Sequence, residues 1–274
     1  MMTTNSTLAA AALLTLAWGC SSKVTVLPAP DAGADAQTQT PTPTPPTAHD
    51  ADAGGSDPGS VQDSGPPPDP LAGCMLDPGA PKLAVDAGAA EDPVGAANFT
   101  LMQALAGFTA TGKLYAKITT EKSAIGCELL EKDAPVAVAN FVGLARGTRP
   151  YYDRSLNIWK TGHFYDGLTW HRVIPGFVIQ GGDPDGDGTG GPGYDLPQEN
   201  HKAELLGTLA MAAGTAPSGS QFFIVIGKGP AADYNVFGKC TTAVAIEIAK
   251  VERNAADKPK VPIHMQKVEI ARCP

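Results

Sequence analysis

The stretch from Phe164 to Asp183 constrains this chain most. Its apolar residues are interrupted by Pro175-Gly176, a pair that favours a tight turn. The pattern therefore predicts a strand, a turn and a second strand. Such a hairpin brings Arg172 and Gln180, eight positions apart in the chain, to one surface. Phe177 and Val178 lie between them and supply an apolar floor. A guanidinium beside an aromatic floor is an electrostatic site, and the stretch offers no obvious nucleophile or base.

A second strand, turn, strand unit follows in Leu209-Ala-Met-Ala-Ala-Gly214 and Ser218-Gly-Ser-Gln-Phe-Phe-Ile-Val225, and then comes Val236-Phe-Gly-Lys239. Five phrases in order, Phe164-Tyr-Asp-Gly-Leu168, His171-Arg-Val-Ile-Pro-Gly-Phe177, Gln180-Gly-Gly-Asp183, Gly219-Ser-Gln-Phe-Phe223 and Val236-Phe-Gly238, resemble the cyclophilin family of peptidyl-prolyl cis-trans isomerases. The resemblance covers roughly residues 113–273. It implies a mostly β fold, a closed eight-stranded antiparallel barrel capped by two α-helices.

Local patterns agree with that architecture. Leu114, Ala116 and Ile118 alternate with polar neighbours, as do Ile125, Cys127 and Leu129, and the two runs predict a hairpin. Asp133 to Gly147 predicts a helix with proline near its start and glycine at its end; Val138, Phe141, Val142 and Ala145 form its apolar face. Thr242 to Ala256 predicts the second main helix and Met265 to Ile270 the last strand. Asn98 to Gly107 predicts a short extra helix, with Thr100 and Gln103 spaced as a capping box. Arg149 to Gly162 reads as a polar loop. Many short strands with two well-separated helices suggest an antiparallel barrel closed by helices.

Composition divides the chain. Residues 1–97 carry 11 acidic and two basic residues, whereas 98–274 carry 17 and 18. Fourteen of the 25 prolines lie between Pro28 and Pro93. The folded part is nearly neutral, and without a basic run nucleic acid is not an expected partner. Leu8 to Trp18 is too short to span a bilayer and ends in small residues before Cys20, as a secretory signal does. Leu16-Ala-Trp-Gly-Cys20 resembles a bacterial lipoprotein cleavage box, although the aliphatic residue is one place out and the leader has no Lys or Arg. The expected organisation is a signal peptide at 1–19, a lipid-attachment cysteine and linker at 20–97, and an isomerase domain at 98–274. The expected location is the cell envelope, anchored to a membrane through Cys20; the bland reading is an ordinary signal peptide and an incidental cysteine. Pro, Ala, Asp, Gly and Thr dominate the linker, which has too few aliphatic residues to offset its ordering entropy.

The resemblance assigns roles. Arg172, Phe177 and Gln180 would be catalytic, Arg172 donating a hydrogen bond to the prolyl nitrogen and Gln180 holding a substrate carbonyl or Arg172 itself. Phe177, Met211 and Phe223 would wall a proline pocket, with Val178 on its floor. Gln221 would line the groove, and Ala212 and Ala213 would offer main-chain groups. Ala213 stands where the family usually has asparagine, whose backbone is what is used. A larger departure is the short run Gly229-Pro-Ala-Ala-Asp-Tyr-Asn235. Ala231 and Ala232 replace a large residue and a leucine, and Tyr234 replaces a histidine at the pocket edge. That loss of bulk implies weak cyclosporin binding and keeps a second reading open: a proline-binding chaperone or scaffold with little turnover. The structural alternative for Arg172 is a salt bridge.

No cofactor is expected. The histidines show no metal-ligand spacing. Asp183, Asp185 and Asp187 mimic the start of a calcium loop, but its twelfth position is Tyr194 where a bidentate Glu is needed, so no metal is expected. Four cysteines remain after Cys20. In the resembled fold the first and last strands are neighbours, so Cys74, just ahead of the domain, would tie to Cys273. Cys127 and Cys240 would be buried thiols or a second bridge; four reduced cysteines is the alternative.

Overall fold

The computed structural model describes residues 68–79, 91–231 and 233–274. The expected signal peptide at 1–19, Cys20, most of the expected linker and Ala232 lie outside the described residues. One sheet carries nine strands in the order β1 (Met75–Leu76), β11 (Lys267–Cys273), β2 (Lys113–Thr119), β3 (Ala124–Leu129), β10 (Val236–Cys240), β8 (Thr208–Ala213), β9 (Pro217–Val225), β7 (Val178–Gly181) and β6 (Arg172–Ile174), every pairing antiparallel. The ring closes through the segments that lead into β6 and β11. Gly167 N donates to Met265 O, Met265 N to Leu168 O and Trp170 N to Ile263 O, at 2.7–2.9 Å, around a Thr169–His264 bridge. Eight strands thus make the barrel, and β1 adds a two-residue edge to the far half of β11.

Period-two alternation sets the inside of the barrel. Leu114, Ala116, Ile118, Ile125, Cys127, Ile179, Leu209, Met211, Phe222 and Ile224 are buried in one continuous core. Helix α2 (Pro135–Arg146) completes it: Phe141 meets Tyr165, Phe222 and Phe237 at ring-centroid distances of 5.0, 5.5 and 5.3 Å. Two of its unsatisfied first-turn N–H groups, on Val136 and Ala137, donate to the Glu199 carboxylate at 2.7 Å each. An anion at this end also suits the helix dipole. Gly147 ends the helix with φ 79°, a conformation that glycine alone adopts without penalty.

Several expectations need correcting. The short helix is only α1 (Leu101–Ala104), although its capping box between Thr100 and Gln103 is present. The second main helix, α3 (Ala243–Ala249), stops well before Ala256, where Asn254 turns the chain by accepting from Ala256 N and Lys258 N. The polar loop contains a hairpin of β4 (Tyr151–Asp153) and β5 (Ile158–Lys160), and its Trp159 stacks against Tyr194. The last strand runs on to Cys273.

The fold also begins before residue 98. Val94 and Ala96 pack on the core. Asp77 pairs with buried Arg146, whose guanidinium also donates to Ala104 O and Ala106 O. Asp92 grips buried Arg149 through both oxygens, at 2.9 and 2.5 Å. Cys74 is bridged to Cys273 and Cys127 to Cys240. The linker's last portion is therefore an arm woven into the domain.

Candidate active site

The outer face of β7, β8 and β9 holds a second, smaller apolar cluster: Val178, Ala210, Phe223, Val225 and Val236, with Leu130, Phe177, Ala212 and Tyr234 packed against it. Above it lies a groove of about 200 Å³ lined by Arg172, Phe177, Val178, Gln180, Ala212, Ala213, Phe223, Pro230 and Tyr234. Strand register assembles it. Arg172 faces Gln180 across β6 and β7, and Gln180 faces Phe223 across β7 and β9. Gly176 has φ 70° in the turn between β6 and β7. The rim loop fastens Phe177, with Ile226 N donating to Phe177 O at 2.8 Å and Lys228 N to Gly176 O at 3.0 Å. A Cβ on Gly227 would stand 2.0 Å from Gly176 O, so the approach requires glycine there.

Most residues expected at the site converge here, and three do not fit as expected. Met211 is fully buried in the interior core, because alternation along β8 points Ala210 and Ala212 outward and Met211 inward. Gln221 is also buried, behind the wall. It accepts from Gln180 Nε2 at 3.0 Å and donates to Gly188 O and Gly190 O at 3.0 and 2.9 Å. Ala232 lies outside the described residues. Pro230 lines the groove and was not foreseen; its proline-alanine context beside the shortened rim was the available signal. Tyr234 stands edge-on to Phe223 at 5.0 Å and 81°, restoring part of the rim.

Among the described residues Arg172 is the only charged side chain lining the groove, and its guanidinium makes no hydrogen bond or ion pair with any of them. Its neighbour His171 is buried, with neither ring nitrogen partnered by a described residue. Burial holds this imidazole below its usual range, with Lys258 and Arg172 adding and Asp183 opposing. The Asp183 carboxylate is occupied by the backbone N–H groups of Asp185, Asp187 and Gly188, at 2.9, 3.0 and 2.5 Å, and so shapes the glycine-rich loop. Among the described residues no group of three or more His, Cys, Asp or Glu could hold a metal ion.

The site is thus an external apolar trough on a barrel, with one guanidinium on its wall that no described residue pairs. The chain belongs to the cyclophilin-type peptidyl-prolyl cis-trans isomerases, whose family model matches residues 115–270. It is 41% identical over 173 residues to the probable peptidyl-prolyl cis-trans isomerase A of Mycobacterium bovis, covering 60% of this chain and 93% of that one. It is 43% identical over 141 residues to the peptidyl-prolyl cis-trans isomerase of Synechococcus elongatus, covering 50% and 87%. A solved cyclophilin-type isomerase of Cryptosporidium parvum superposes with a TM-score of 0.49 at 28% identity, covering 59% of this chain and 99% of that chain. The protein is a peptidyl-prolyl cis-trans isomerase.

Proposed function

We propose that Arg172 drives rotation about the prolyl bond of exported polypeptides. Resonance in the peptide C–N bond sets a barrier of about 18–20 kcal/mol. Twisting breaks the resonance and leaves a lone pair on the prolyl nitrogen. A hydrogen bond from Arg172 to that nitrogen is stronger in the twisted state than in the planar one, which is the condition for lowering the barrier. Each 1.4 kcal/mol of such preference is worth about tenfold in rate. The observation that carries this reading is the unpaired guanidinium on the wall of an apolar groove.

The other roles follow from placement. Phe177, Phe223 and Val178 hold the proline ring, while Ala212 and Ala213 offer main-chain groups to the flanking peptide. Gln180 donates through Nε2 to Gln221, so its Oε1 is available to orient the Arg172 guanidinium from the facing strand. The open rim at exposed Ala231 favours weak cyclosporin binding. Calorimetry on the full chain tests that point, and an affinity equal to that of an aromatic-rim cyclophilin counts against it.

Two disulfides suit an oxidising compartment. They support export through the amino-terminal leader and, with a lipid on Cys20, attachment to the cell envelope. Cys20→Ala should release the protein from the membrane fraction; unchanged partitioning counts against the anchor. A protease-coupled assay on an Ala-Pro peptide separates an isomerase from a binding module: the full chain should accelerate isomerisation, and peptide binding without acceleration would favour the module.

A further inference from the structure

We propose that Leu205 and Leu206 form an apolar subsite beside the groove, which takes a bulky apolar side chain of the substrate two or three residues from its proline. The proposal rests on the isomerase reading above and deepens it to a substrate preference of the same site. Three observations carry it.

First, both leucines stand in solvent, 70% and 54% exposed, on a loop that backbone hydrogen bonds hold at both ends. Leu205 N donates to Ala203 O at 3.1 Å and Thr208 N to Leu205 O at 2.8 Å. Gly207 N donates to Val225 O and Cys240 N to Gly207 O, at 2.8 and 2.7 Å. Apolar surface fixed in this way binds a ligand without the cost of ordering a loop.

Second, the loop abuts the groove. Val225, which accepts from Gly207, belongs to the outer apolar cluster with Val178 and Phe223. Tyr234 N donates to Glu204 Oε1 at 3.3 Å, and a Cβ on Gly229 would stand 1.9 Å from Glu204 O. Pro230 and Tyr234 line the groove. The residue before Leu205 therefore touches the rim from outside at two points, which puts the Cα of Leu205 within about 10 Å of that of Pro230.

Third, the rim between them is low. Gly229-Pro-Ala231 carries no side chain larger than a proline ring, and Ala231 is exposed. An extended peptide advances about 3.3 Å per residue. Two or three residues therefore carry it from a proline seated on Phe177 and Phe223 across this rim to the leucines.

Placement restricts the preference to one flank of the proline. Leu206 and Ala213 lie at opposite ends of β8, about 20 Å apart. A peptide laid along the groove meets Ala212 and Ala213 with one flank and the leucines with the other. In an enclosed apolar pocket a single methylene is worth tenfold or more; an open patch gives less, about fivefold for a whole side chain.

Exchange NMR with the full chain tests this on Ala-Pro peptides that carry leucine or serine at the second and third residues from the proline, on each side in turn. Leucine should raise kcat/KM about fivefold, through KM, on one side only. The double variant Leu205→Ser, Leu206→Ser should treat the leucine and serine peptides alike, with a melting temperature equal to the wild type's. Equal turnover of the two peptides by the wild type, a result that needs no variant, overturns the subsite, as does a preference that survives in the double variant. A wild-type dimer in sedimentation that the double variant loses assigns the leucines to a second copy and also overturns it. Absence of catalysed exchange on every peptide overturns the isomerase reading itself.

Discussion

Gln180 donates through Nε2 to Gln221 Oε1 at 3.0 Å, and the same Gln221 ties down the carbonyls of Gly188 and Gly190. One buried amide thus fixes both the residue opposite Arg172 and the glycine-rich loop. Gln221→Leu keeps the volume and removes all three bonds. At about 1–1.5 kcal/mol per bond, loss of the Gln180 contact should lower kcat/KM about tenfold, mainly through kcat. Backbone amides of 183–190 should exchange faster with solvent. Unchanged kcat and unchanged exchange would show that Gln221 only fills space.

The arm should be part of the stability of the domain. Arg149 is buried, pairs with Asp92, and stacks on Tyr194 at 4.3 Å and Phe99 at 5.2 Å. Asp92→Ala strands that charge, and breaking one side of a buried pair costs about 3–5 kcal/mol. Adding Arg149→Met should recover part of the loss, because the orphaned charge goes with it. Urea denaturation of the two variants reads the difference; a double variant no more stable than Asp92→Ala would refute this account of the arm.

Much of the barrel was readable from the chain. The Pro175-Gly176 turn, the alternation in β2 and β3 and the capping box are local chemistry, and they placed Arg172, Phe177 and Gln180 together. The arm was not readable: Asp77 and Asp92 meet Arg146 and Arg149 across 69 and 57 residues, and a stretch without aromatic residues looks unable to pack when the partner surface is unknown. The hairpin of β4 and β5 hid behind polar composition, because its stability comes from Trp159 on Tyr194, a tertiary contact. The inward direction of Met211 is legible in the chain, since an outward Ala212 on a strand requires its neighbour to point inward.

His171 gives the fold a pH dependence. Its folded pKa lies below the unfolded value because burial disfavours the cation. The unfolded chain therefore binds protons first. The contribution is intact above about pH 6.5 and is lost as pH falls toward the folded pKa, at up to about 1.4 kcal/mol per pH unit. His171→Phe removes the titration. Stability curves from pH 7.5 to 5 should therefore converge or cross, the wild type losing more on acidification; parallel curves would contradict the buried neutral imidazole.

The most direct test of the central claim is kcat/KM of Arg172→Ala on an Ala-Pro peptide, beside its melting temperature. The account predicts at least a tenfold loss of kcat/KM, carried by kcat, with an unchanged melting temperature because the Arg172 side chain bonds to no described residue and its backbone pairing in β6 survives the substitution. A folded variant that turns over the peptide at nearly the wild-type rate would contradict it.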